Sequence, residues 1–301
     1  MIHDVIIVGG SYAGLSAALQ LARARRQVLI LDAGQRRNRF ASSSHGFLGY
    51  DGASPAAIVA KGRADVLAYP TVTWHEANVT EARIIPEGFA VQSGADVFRS
   101  KRIILATGVV DELPNVPGLA ERWGQTVFHC PYCHGYELGR GRVGVLGTSE
   151  LSGHLASLAS EWAAPGQLTL FVLQGFDPDA DHVAQLTARG IRIEREPVIG
   201  LEGEAPAVDV RLRDGRVIQL DGLFVHPRTH LANSFAEQLG CELEAGHSGS
   251  FYKTDAWKET TVPGVFACGD NSVAAGAVAT AVGDGVRAGT AAHRSLVFPR
   301  A

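Results

Sequence analysis

A chain of 301 residues, 46% hydrophobic and 19% charged, is long enough to bury the cores of two domains. Its net charge of −4 lacks the basic excess that binding to a phosphate backbone needs, which argues against nucleic acid as a partner. No apolar run approaches the roughly 18 to 20 residues of a spanning helix. Asp4, Gly9, Gly10 and Ser11 interrupt the apolar start where a signal peptide would need a basic lead and an unbroken run, so a cytoplasmic protein without membrane attachment is expected.

Residues 4–8 are a continuous apolar run, 9–14 a glycine-rich turn, 15–25 an Ala-rich segment of helical period and 28–31 a second strand. This order predicts a βαβ unit whose parallel strands are buried on both faces. Gly9-Gly10-Ser11-Tyr12-Ala13-Gly14 approximates GxGxxG, with Ser11 at the position that lets backbone approach a pyrophosphate. Asp32 ends the next strand, where a carboxylate can bond an adenosine ribose, so the constellation predicts a dinucleotide site. Arg36, Arg37 and Arg39 follow, either as neutralisers of phosphate or as a solvated charge run.

Cys130-Pro131-Tyr132-Cys133 stands apart from the isolated Cys241 and Cys268, which read as packing residues. No second CxxC or His pair at ligand spacing accompanies it, so redox chemistry is expected rather than a metal. A CxxC at a helix start also lowers one thiol's pKa. A second βαβ layout follows, with a strand at 143–146, a turn at Gly147-Thr148-Ser149, a helix toward Trp162 and a strand at 168–173. Two such starts predict two doubly wound α/β domains.

Residues 192–225 predict a β-meander, with turns at Gly203, Asp214-Gly215 and Asp221-Gly222. Residues 261–270 read as a strand ending in Gly269-Asp270, and 274–296 as a long helix rich in Ala and Gly. A carboxylate at Asp270 can hold a ribityl or ribose hydroxyl, and the helix would aim its positive end at a flavin's pyrimidine ring. So many small residues lower helix propensity, which suggests that something large packs against that helix.

The run Thr261-Val262-Pro263-Gly264-Val265-Phe266-Ala267-Cys268-Gly269-Asp270 resembles the PGVFAxGD segment of FAD-dependent pyridine-nucleotide-disulfide oxidoreductases. Ile103-Ile104-Leu105-Ala106-Thr107-Gly108 resembles their ATG strand. With CxxC just before the second βαβ unit, the resemblance narrows to the low-molecular-weight thioredoxin reductases and covers essentially the whole chain. It implies an FAD domain from residues 1–112 and 245–301, an inserted NAD(P)-binding-like domain at 113–244 that carries the CxxC, and a homodimer. For FAD it implies contacts from Gly9, Gly10, Ser11, Ala13 and Gly14, from Asp32 and Ala33, and from His45 and Val79. Ala106, Thr107 and Gly108, then Gly269, Asp270, Ala277 and Val278, complete the implied cofactor set.

In that family the second cysteine lies against the flavin and the first exchanges with the external thiol, which assigns these roles to Cys133 and Cys130. His134 falls where the family carries an acid, with an ordinary pKa suited to proton transfer near pH 7, and His129 flanks the pair on the other side. The motif Cys-Pro-x-Cys-His-Gly-Tyr-Glu looks like that of the flavin dithiol oxidases of gliotoxin-type and holomycin-type natural products and their bacterial relatives. Those enzymes pass electrons to dioxygen.

Gly147-Thr148-Ser149-Glu150-Leu151-Ser152 keeps only one small glycine-type position, and Glu150 sets a negative charge where phosphate would sit. After the next strand no arginine appears until Arg189, so weak or no NADPH binding is expected. Two other readings stay open: an NADPH-dependent reductase of a thioredoxin-like protein, and a flavoprotein that only transfers electrons or regulates a partner. The turn His226-Pro227-Arg228 has no reading from sequence.

Overall fold

The computed structural model describes residues 2–298; residues 1 and 299–301, at the two ends of the expected flavin domain, lie outside the described residues. The chain divides into two compact units. The first comprises 1–39, 55–111 and 229–301, and the second 40–54 and 112–228. Residues 40–54 thus group with the CxxC unit and 229–244 with the first unit, unlike the boundaries expected from sequence. Among the described residues no helix is long and apolar enough to cross a membrane.

The first unit is built on a seven-stranded sheet. Val72–Glu76, Val28–Asp32, Ile2–Val8 and the end of Asp96–Leu105 run parallel, with Val265–Ala267 beside the last. The near half of Asp96–Leu105 instead pairs antiparallel with Gly88–Ser93, so one ten-residue strand serves both a hairpin layer and the parallel sheet. Its parallel strands are apolar without alternation because both faces are covered: Val5 and Ile7 enter one core, Ile6 and Val8 the other.

The helix Tyr12–Arg23 begins three residues earlier than its period suggests, straight out of Ser11. It packs on the C-terminal helix Val278–Val297, and the small residues of that helix find their reason there. A side chain at Gly285 would run into the Ala13 carbonyl and one at Gly289 into the Ala17 carbonyl, while Ser16 Oγ donates to the Val282 carbonyl at 2.8 Å. What lies against the small-residue face is therefore the backbone of a neighbouring helix.

The second unit has a five-stranded parallel sheet in the order Arg192–Glu194, Leu168–Val172, Val143–Gly147, Gly222–Val225, Val127–Phe128. Only Val198–Glu202, Val208–Leu212 and Val217–Leu220 form the antiparallel meander. The first and last strands of the stretch predicted as one meander join the parallel sheet instead. Gly222–Val225 is buried along its whole length, as a central parallel strand must be. The fold is α/β with two doubly wound Rossmann-like domains, the second inserted into the first.

Candidate active site

In the first unit the nucleotide turn is held open by its own backbone. Gly9 has φ of +103°, and a Cβ there would strike the Ala106 carbonyl; one at Gly14 would strike the Gly9 carbonyl. Gly10 donates its N–H to Asp32 Oδ1 at 2.9 Å, which ties the turn to the end of the second strand, with Ala33 next. Ser11 caps the helix in extended backbone without a side-chain cap bond, so the first helical amides face outward past a small residue. This cradle, sized by glycines, fits a pyrophosphate.

The opposite wall comes from the other end of the chain. Gly269 turns at φ +83°, and Asn271, fully buried, donates to the Leu105 carbonyl at 3.0 Å and to Thr107 Oγ1 at 3.2 Å. Gly108 follows at φ +63°. The Ala277 N–H donates to Thr280 Oγ1 at 2.9 Å, opening the helix that starts at Val278. Ala106 and Val79 are buried at 8% exposure each, Val79 within the apolar cluster of Ile6, Val8 and Leu31.

Arg37 has a different place from the one expected. It grips Asp111 with two nitrogens at 2.9 and 2.5 Å and reaches Asp270 Oδ2 at 2.8 Å. It is neither solvated nor free for a phosphate, and its pKa is raised because the Asp111 and Asp270 carboxylates outweigh the opposing effect of burial. Sequence reading missed this clamp, since its partners lie 74 and 233 residues away.

In the second unit Cys130 and Cys133 form a disulfide with Cα atoms 5.3 Å apart. Cys130 is the extended N-cap of a single turn, Pro131–His134, with Pro131 at the first helical position where its missing N–H leaves nothing unpaired. Gly135 is required by packing, because a Cβ there would lie 2.7 Å from Trp162. The Trp162 ring meets Tyr132 edge-on at 5.2 Å, and Tyr132 itself is 71% exposed.

His134 stacks on Phe128 with ring centroids 4.3 Å apart, and its ring faces the Cys130 backbone. Burial lowers its pKa; Glu137 opposes that, and His45 adds to it. The ordinary value expected from sequence is thus corrected downward, which favours the neutral ring. His45 lies in this unit as well, with Nε2 at 3.1 Å from Ser43 Oγ and 3.5 Å from Glu137, and Nδ1 at 3.5 Å from Asp51. His134 and Glu137 line a pocket of about 410 Å³ with Ser42, Ser43 and Phe128.

His129 follows the strand Val127–Phe128, and its ring lies 5.2 Å from that of His226. In the second nucleotide-type turn two amides are engaged within the chain. Ser152 Oγ accepts from the amides of Thr148 at 2.9 Å and Ser149 at 3.2 Å, the groups that would grasp a phosphate. A side chain at Gly147 would meet Phe176 at 2.9 Å. Sequence reading saw Glu150 but missed Ser152, whose role needs the turn's geometry to be seen. Cys241 and Cys268 are buried thiols, and burial pushes the Cys268 thiol up to about 12.

A glycine-built nucleotide cradle in one doubly wound unit and a CxxC disulfide at the strand ends of another define a thiol-disulfide oxidoreductase with a dinucleotide cofactor. Residues 3–285 match the pyridine nucleotide-disulphide oxidoreductase family. The thioredoxin reductase sirT of Leptosphaeria maculans is 34% identical over 96% of this chain and 93% of its own. The crystal structure of an oxidoreductase from Agrobacterium tumefaciens superposes with a TM-score of 0.95 at 51% identity over all of both chains. That of HlmI superposes with 0.91 at 35% identity over 98% of this chain and 93% of its own. The chain belongs to the pyridine nucleotide-disulphide oxidoreductases, as an FAD-dependent disulfide oxidoreductase of the thioredoxin reductase-like kind.

Proposed function

We propose that the protein oxidises a small dithiol to its disulfide through Cys130 and Cys133, without NADPH. The observation that carries this reading lies in the second turn: with Ser152 Oγ already holding the amides of Thr148 and Ser149, and Glu150 at the helix start, a pyridine nucleotide's pyrophosphate loses two amide donors and faces a carboxylate.

A substrate thiolate attacks Cys130 Sγ, breaking its bond to Cys133 and forming a mixed disulfide. Cys133 leaves as a thiolate. The second substrate thiol then attacks the substrate sulfur bound to Cys130, so the product disulfide departs and Cys130 is released. Substrate loses two electrons and two protons; the cysteine pair gains the electrons, Cys130 takes one proton as it is released, and His134 takes the other while Cys133 stays a thiolate. His134, whose lowered pKa favours the neutral ring, takes up a proton as the substrate thiol ionises. The Gly9–Gly14 cradle, Asp32 and the Gly269-Asp270 turn would hold FAD, which would supply a two-electron acceptor for the reduced cysteine pair, with dioxygen as the final oxidant. The protein acts in the cytoplasm as a homodimer; light scattering should then give about twice the chain mass of 31.9 kDa, and a single chain mass would contradict it.

An anaerobic titration tests the reading. Dithiothreitol bleaches the flavin absorbance, which recovers when air is admitted with one hydrogen peroxide formed per dithiol. Bleaching by micromolar NADPH would instead make the protein a reductase.

A further inference from the structure

Lys258 and Asp284 form an ion pair at 2.9 Å in which each residue is only 7% exposed. Nothing in the dithiol chemistry uses it. Two features set it against stability. Lys258 has φ of +67°, a left-handed backbone that glycine adopts without strain and lysine does not. Its ammonium is also taken out of water against a single carboxylate, and such a pair is commonly no more stabilising than apolar side chains of the same volume. A turn of the type around Asp255, whose Oδ1 accepts from the amides of Trp257 and Glu259, would be served better by glycine at 258. The side chain is therefore retained for what it touches.

What it touches is the turn that follows Cys268. Lys258 Nζ lies 3.4 Å from Ser272 Oγ, which in turn donates to the Gly269 carbonyl at 3.0 Å. The Lys258 carbonyl accepts from the Ala267 amide at 3.0 Å. Asp284 sits six residues into the helix that opens at Val278. One buried polar chain, Asp284 to Lys258 to Ser272 to Gly269, thus joins the cofactor turn to the body of the helix whose first residues were assigned to the cofactor.

We propose that Lys258 and Asp284 are positioning residues for FAD, their ion pair holding the Gly269-Asp270 turn in register with the N-terminus of the helix Val278–Val297. The inference rests on assigning that turn to the flavin. A buried charge pair suits this role because it has one low-energy geometry, whereas apolar side chains slide.

The test uses the full-length holoprotein with Lys258→Met/Asp284→Leu, an apolar pair that leaves no charge uncompensated should either single variant fail to fold. Flavin fluorescence follows FAD release during heating, far-UV circular dichroism follows unfolding, and dilution of the holoprotein yields the FAD dissociation constant. The wild type releases FAD as it unfolds. The double variant unfolds no earlier than the wild type once FAD is gone, yet releases FAD at a lower temperature and binds it about tenfold more weakly. Binding within twofold of wild type, or FAD loss that only tracks earlier unfolding, would overturn the inference. Asp270→Ala separates this from the assignment beneath it: if that variant keeps FAD, the turn itself is misassigned, and if it loses FAD while the double variant does not, only the positioning role fails.

Discussion

At the scale of single residues, His134 shows how burial selects a role. A side chain stacked on Phe128 with its folded pKa below the ordinary 6.5 is neutral in the folded state across the neutral range. The unfolded chain takes up that proton first as pH drops, so the stability linked to His134 is complete above pH 6.5 and lost as pH falls below it. The acid limb of the dithiol-oxidation rate should accordingly lie below pH 6.5, and His134→Gln should remove that limb while lowering kcat by about a hundredfold, read from the pH profile of oxygen uptake. A limb unchanged in His134→Gln would assign the titration to another group.

Arg37 marks the limit of reading residues along the chain. Three basic residues in four positions carry no sign of which carboxylates they face, whereas the fold sets Arg37 between Asp111 and Asp270. Arg37→Met leaves two partly buried carboxylates facing each other, and a loss of about 2 kcal/mol in urea unfolding is expected. The motif residues were legible for the opposite reason: Gly9, Gly14 and Asp32 act through backbone geometry within one βαβ unit, where spacing alone sets the contact.

At the scale of elements, the two nucleotide turns have the same strand-turn-helix layout and opposite fates. The first leaves its helix amides uncapped by Ser11; the second engages two amides of the turn before its helix, those of Thr148 and Ser149, through Ser152 Oγ. Ser152→Ala should lower stability by about 1 kcal/mol in urea unfolding, because it leaves the turn amides of Thr148 and Ser149 without their acceptor. It should not create NADPH binding measurable by calorimetry, because Glu150 still stands at the helix start.

The pair of helices Tyr12–Arg23 and Val278–Val297 carries a related lesson. The density of Ala and Gly in the second was visible in sequence, but the object packed against it was not, since composition reports close approach without naming the partner. Gly285→Val pushes a side chain into the Ala13 carbonyl, and a loss of about 3 kcal/mol together with weaker FAD retention is expected from thermal melting and the flavin-to-protein absorbance ratio. The meander was over-extended in sequence for a physical reason: β-branched and apolar runs such as Gly222–Val225 look alike whether a strand ends in an antiparallel sheet or the centre of a parallel one.

At the scale of the molecule, a strand from residue 265 onward returns to pair with one that ends at 105, so the first unit is assembled from segments far apart in sequence. That closure was legible because both pieces carry recognisable motifs. The grouping of residues 40–54 with the CxxC unit was not, because it depends on contacts such as His45 with Glu137 that no local pattern encodes. The account as a whole requires electrons from a dithiol to pass through the sulfur of Cys133. The direct measurement is rapid anaerobic mixing of dithiothreitol with FAD-loaded wild type and Cys133→Ser. Wild type should bleach, and Cys133→Ser should keep its FAD and stay yellow; equal bleaching in both would contradict the account.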